Sequence, residues 1–165
     1  MTATAPEGLD EAIERYVELR RAVERHEKTW SDFADFFTDD AVYVDPAWGR
    51  VEGRSEIIRL VFSDAMAGIE DWTFPIDFVM TSGDTVVMKW RQVIPVDGAD
   101  PLVQSGVSTM IYAGDGRFRY QEDLLNMVHV FGDLKASGWR PASGMHAPPK
   151  DPIRDFAPPG GYPAG

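Results

Sequence analysis

Between Trp72 and Val130 the chain carries four long segments of alternating polarity, parted by turns rich in glycine and aspartate. That run constrains the fold more than any other feature, because a period of two belongs to half-buried strands. The segments span 72–81, 85–95, 102–113 and 117–130. The turns are Ser82-Gly83-Asp84, Asp97-Gly98-Ala99-Asp100-Pro101 and Gly114-Asp115-Gly116. Strands joined by such short turns pair antiparallel. In the first segment Phe74, Ile76, Phe78 and Met80 share one parity. Leu124 to Leu134 fits a helix as well as a strand, and periodicity alone leaves both open.

The preceding third reads differently. Residues 1–8 form a small, polar, flexible end. From Leu9, the residues Ile13, Tyr16, Val17 and Val23 fall near one helical face, with Glu and Arg opposite. A second short helix carries Trp30, Phe33 and Phe37, with Thr29 or Ser31 as its N-cap. Residues 41–46 read as a strand that Pro46 ends. After a turn at Gly49–Gly53, a third helix presents Ile57, Ile58, Val61, Phe62, Ala65 and Met66. Helices first and long strands after is an α+β order. It predicts a curved mixed or antiparallel sheet packed on three N-terminal helices, a cone enclosing a pocket, over residues 9–139. Residues 140–165 form a Pro/Gly-rich tail. It is expected to dock weakly, through Ile153, Phe156 and Tyr162.

Composition narrows the function. The 165 residues carry a net charge of −11, which argues against nucleic acid and against an anionic membrane surface. There is no cysteine, so disulfides, thiolate metal sites and a thiol nucleophile are excluded. His26, His129 and His146 have no metal-ligand spacing, and His129 reads as a structural histidine in an apolar stretch. No phosphate-binding or dinucleotide fingerprint is present, so no cofactor is expected. The amino terminus lacks the pattern of a signal peptide and no apolar run is long enough to span a bilayer, which makes the cytoplasm the expected compartment.

The stretch FADFFTDDAVYVDPAWGRVEGRSEI, residues 33–57, resembles the nuclear transport factor 2-like superfamily, in its SnoaL-like and ketosteroid isomerase-like branch. Glu14-Arg15-Tyr16-Val17 is similar to that group's first helix, and the Gly114–Gly116 hairpin to its last strand pair. The resemblance covers residues 9 to 130 and implies a cofactor-independent isomerase, cyclase or lyase acting on an apolar, polyketide- or steroid-like compound. It implies that Asp45, before Pro46, moves the proton and that Tyr16 steadies an oxyanion. Ser108 falls where the isomerases place a second donor. The cyclase branch implies Asp123 as acid/base group. An epoxide hydrolase-like site, with Arg91 and Asp123 around a water, is a third reading. The superfamily also contains non-catalytic binding modules, and its members commonly pair, which implies a homodimer.

The residues themselves leave alternatives open. Asp45 is either a carboxylate made more basic by an apolar pocket or a turn cap ahead of Pro46. Asp123 and Glu122 point to opposite faces, so one of them is surface. Tyr16 is either a donor or a packed tyrosine with a bonded hydroxyl. Trp30, Tyr43, Trp48, Trp72, Phe74, Phe78 and Trp90 lie on elements that would line the cone. Tyr43, Trp48, Phe78, Trp90 and Ser108 are the expected contacts to a flat, apolar ligand.

Overall fold

The computed structural model describes residues 5–141 and 144–162. Helix α1 (Leu9–Glu24) buries Leu9, Ala12, Tyr16, Arg20 and Val23, a stripe at three- and four-residue spacing. A 3-10 helix, Trp30–Phe36, follows. Its first turn is held by Asp32, whose Oδ2 accepts from the Thr29 amide at 2.7 Å and hydroxyl at 3.0 Å. Phe37 opens strand β1 (Phe37–Asp45) rather than extending that helix, and turns back into β2 (Gly49–Glu52). Helix α2 starts at Arg54–Glu56 and widens into a π-helical stretch, Ile57–Asp64. It buries Ile57, Val61 and Phe62.

The strands β3 (Ile76–Ser82), β4 (Thr85–Ile94), β5 (Leu102–Gly114) and β6 (Arg117–Leu125) complete one open sheet in the order β2-β1-β6-β5-β4-β3. All neighbours are antiparallel except β1 and β6, which run parallel. The sheet is therefore mixed. Even-numbered residues of β4, from Val86 to Ile94, face the helices and are buried. The core between the layers is aromatic. Phe33 stacks on Trp30 and Phe62 with ring centroids 5.5 Å and 5.4 Å apart.

The ambiguous stretch divides at Asn126. Strand β6 ends at Leu125, and helix α3 runs Met127–Ser137. The Asn126 side chain accepts from the His129 amide, and Gly138, at φ 73°, closes the other end. An N-cap asparagine and a left-handed glycine are ordinary helix bounds. His129 consequently sits exposed on this helix rather than within a packed strand. No helix among the described residues is long and apolar enough to cross a membrane.

A bulge corrects the reading of β3. Ile76 pairs with Trp90, but Phe78 pairs with Lys89. The register slips between them, so side chains beyond Ile76 exchange faces. Phe78 goes to the outer face, 49% exposed, and Val79 packs against the core instead. Phe78, Met80, Val103 and Leu124 are all exposed on that outer face.

Residues 153–162 of the tail cross the outer side of β2, β1 and β6. This segment is held mainly by its carbonyls; of the predicted side chains only Tyr162 takes part, packing edge-on against Tyr120 with ring centroids 6.2 Å apart and donating to Glu122 Oε2 at 3.3 Å. Ile153 O accepts from the Arg50 amide at 2.8 Å, Ala157 O from Arg50 Nη1 at 2.7 Å and Phe156 O from the Tyr120 hydroxyl at 2.5 Å. Ile153 and Phe156 remain exposed, while Pro158 is buried. Gly49 permits this approach, since a Cβ there would stand 2.5 Å from Ile153 O.

Candidate active site

Between the helical layer and the sheet lies a cavity of about 160 Å³. Its floor comes from α1, β1, β4 and β6, its walls from the 3-10 helix and α2. At its mouth are Met127, Val130, Phe131 and Leu134 of α3 and Met145, His146 and Pro148 of the tail. Helix α3 is tied to the sheet by a polar relay. Gln92 Nε2 donates to Gln104 Oε1 at 3.0 Å, and Gln104 Nε2 donates to Asp133 Oδ2 at 2.8 Å.

Asp45 ends β1 and lines the cavity. Its Oδ1 accepts from the amides of Ala47 at 2.8 Å and Trp48 at 2.7 Å. Oδ2 accepts nothing from the described protein. Both readings of Asp45 therefore coexist, because one oxygen caps the turn and the other is left to the cavity. Burial pushes the carboxyl up to about 6, the two amides pull it down, and the charge of Asp123 adds a smaller upward push.

Asp123 is the contrasting carboxylate. Tyr43 donates to its Oδ2 at 2.5 Å. Ser108 Oγ at 2.6 Å and Gln121 Nε2 at 3.0 Å donate to its Oδ1. The network continues on both sides. Gln121 Nε2 also donates to Tyr43 Oη at 3.0 Å, and its Oε1 accepts from the Tyr16 hydroxyl at 3.0 Å. Trp90 Nε1 donates to Ser108 Oγ at 2.8 Å. The Trp90 indole lies over Gly106, where a Cβ would stand 2.5 Å from the ring. Any larger residue there would displace the ring. Burial pushes both Tyr16 and Tyr43 well above the ordinary tyrosine range, so each keeps its proton and acts as a hydrogen-bond donor.

The structure thus brings Tyr16, Tyr43, Trp90, Ser108 and Asp123 into one network, with Asp45 and Trp48 beside it on the same cavity. Ser108 stands behind Asp123, fully buried, rather than on the cavity wall. Phe78 is absent from the site because of the β3 bulge. Arg91 is also outside. It follows inward-facing Trp90 on β4, so it points outward and pairs with Asp77 at 2.8 Å. The water site joining Arg91 to Asp123 therefore does not form.

Two groups were not expected in the site. Gln121 is the hub of the network. Its signal was parity, since it precedes Asp123 by two on β6. Arg20 lines the cavity although the sequence reading put the arginines of α1 on the solvent side. Its signal was the four-residue step from Tyr16, which places the two on one helical face.

Residues 13–121 match the family model of the SnoaL-like domain. No curated protein matches the sequence. Among solved structures, the chain is similar to a candidate SnoaL-like polyketide cyclase from Jannaschia sp. CCS1. That match has 18% identity and a TM-score of 0.64 over 81% of this chain and 97% of that one. It is similar to TerC co-crystallized with polyporic acid, at 17% identity and TM-score 0.58, over 76% and 98% of the two chains. It is also similar to an NTF2-like protein of unknown function from Burkholderia pseudomallei K96243, at 14% identity and TM-score 0.60, over 77% and 97%. At these identities the likeness establishes the nuclear transport factor 2-like cone and nothing finer.

Proposed function

The chain belongs to the SnoaL-like domain family, and from that premise we propose that it is a cofactor-independent isomerase, cyclase or lyase acting by proton transfer on an apolar cyclic carbonyl compound. One observation carries this reading. Asp45 presents an unpartnered carboxylate oxygen to an apolar cavity, and its carboxyl is pushed up to about 6. A base of that strength is largely ionised at neutral pH and still a useful proton acceptor.

In this mechanism Asp45 Oδ2 takes a proton from the carbon next to the substrate carbonyl. The electron pair of that C–H bond moves into the new C=C bond, and the carbonyl oxygen becomes an enolate. Tyr16, by turning its hydroxyl away from Gln121, supplies a neutral donor to that oxygen. Asp45 then returns the proton at another carbon or to a leaving group. The Trp48 side and the aromatic walls exclude water, which keeps the carboxylate basic. Asp123, with both oxygens occupied, holds Tyr43 and Gln121 in place.

The test is deuterium uptake from D2O into 2-tetralone, a flat ketone with acidic α-protons, followed by NMR. Asp45→Asn keeps the turn cap through its amide oxygen and loses the base. It should slow the enzyme-dependent exchange by about 10²–10⁴-fold. Exchange that survives in this variant, or none in the native protein, would overturn the catalytic role. The alternative is a non-catalytic binding module. It is favoured by the fact that the hydroxyl protons of Tyr16 and Tyr43 already have protein acceptors. Binding of 2-tetralone without exchange would select it.

A further inference from the structure

Arg20 is a buried cation with no counter-charge in contact. It is 7% exposed, and no carboxylate pairs with its guanidinium among the described residues. Nη2 donates to Phe74 O at 3.0 Å, and Nε is buried with no partner. The charge lies 5.4 Å from the Trp90 ring centroid and 5.9 Å from that of Phe74. Aromatic faces offset only a small part of the cost of taking an arginine out of water. The group cannot escape by losing its proton.

A second orphan lies on the stretch that holds Arg20. Trp72, two residues before Phe74 and on the same side of the extended chain, lines the cavity with its Nε1 buried and unbonded. Two buried donors without acceptors on one cavity describe a place for an anionic oxygen that the protein does not itself provide. The guanidinium fork suits a carboxylate or an ionised enol, which it can meet with parallel N–H bonds.

We infer that Arg20, assisted by Trp72, is the anion-recognition point of the cavity and that the ligand is a flat, apolar ring compound carrying a carboxylate or an acidic enol. This rests on the cavity reading above and adds the charge class of its occupant. The chain's net charge of −11 and the presence of Asp45 and Asp123 on the same cavity disfavour anions in general. A preference for an anion over its neutral analogue therefore reports a local cationic site.

The experiment compares 2-naphthoate with 2-naphthamide by calorimetric titration at pH 8. The native protein should bind the carboxylate at least about tenfold more tightly, equivalent to about 1.4 kcal/mol. Arg20→Met should erase that preference while leaving the amide's affinity nearly unchanged. Arg20→Lys, which keeps charge but not the fork, should retain part of it. Equal binding of both compounds by the native protein overturns the inference and leaves the apolar cavity standing. So does a preference that persists in Arg20→Met. Binding of neither compound overturns the inference together with the ring-binding cavity. Because 2-tetralone is uncharged, the exchange test of Asp45 can fail or succeed independently. The native comparison needs no variant, so a poorly folding Arg20→Met still leaves a decision.

Discussion

Two aspartates on one cavity wall live in different chemistry. Asp45 follows Tyr43 on β1, and Asp123 follows Gln121 on β6, while Tyr43 and Gln121 pair across the two strands. The carboxylates are thus side by side in register. Asp123 sits within the sheet, where β1, β5 and β6 each supply a donor and both oxygens find a partner. Asp45 sits where the strand ends, and only the amides of the following turn reach it, on one oxygen. A sheet interior engages both oxygens of a carboxylate, while a strand terminus at a cavity leaves one of them free. Under the proposed function the same residue type is scaffold in the first place and reactive group in the second.

Breaking the scaffold member should have the largest effect on stability. Asp123→Ala leaves the hydroxyls of Tyr43 and Ser108 and one N–H of Gln121 without an acceptor. It should cost about 4 kcal/mol, since each buried donor so abandoned costs about 1–3 kcal/mol and the lost charge recovers some of it. Urea unfolding at pH 7 measures this. A loss below about 1 kcal/mol would mean that the network is decorative and that the contrast with Asp45 is false.

The reactive member should behave in the opposite sense. Folded Asp45 holds its proton up to about pH 6, against 3.8 for an ordinary aspartate. Between those values the native state binds more protons than the unfolded one. The unfolding free energy therefore falls as pH rises from about 4 to about 6 and is level above that. Asp45→Asn removes this slope. At pH 8 it should stabilise the protein by up to roughly 3 kcal/mol. Native and variant melting curves across pH 4–8 check the sign, and a variant less stable than the native protein at pH 8 would contradict it.

The smallest effect sharpens the link between the two. Asp123→Asn keeps most of the hydrogen-bond geometry and removes the neighbouring charge, which is the least of the causes raising Asp45. The titration midpoint of Asp45, followed by carboxyl-carbon NMR, should move down modestly. An unchanged midpoint would show that the carboxylates do not sense each other.

Some of this was already fixed locally in the chain. A two-residue period assigns faces without knowledge of any partner, so Tyr43 and Asp45 fall on one side, and so do Gln121 and Asp123. Pro46 has no amide hydrogen, which ended β1 at Asp45. Gly114-Asp115-Gly116 turned β5 into β6. Those features made the cone and most of the aromatic lining legible. What the sequence did not contain was anything set by a neighbour. The bulge that expels Phe78 exists only in the pairing of β3 with β4, since register belongs to two strands. The free oxygen of Asp45 depends on which amides the turn aims at it. Arg20 became a cavity residue because Phe74 O and the aromatic faces of Phe74 and Trp90 received it, and those contacts join positions more than fifty residues apart. Local periodicity decides the face a side chain takes, but only the packed neighbours decide whether its polar atoms are satisfied, and the proposed chemistry rests on the unsatisfied ones.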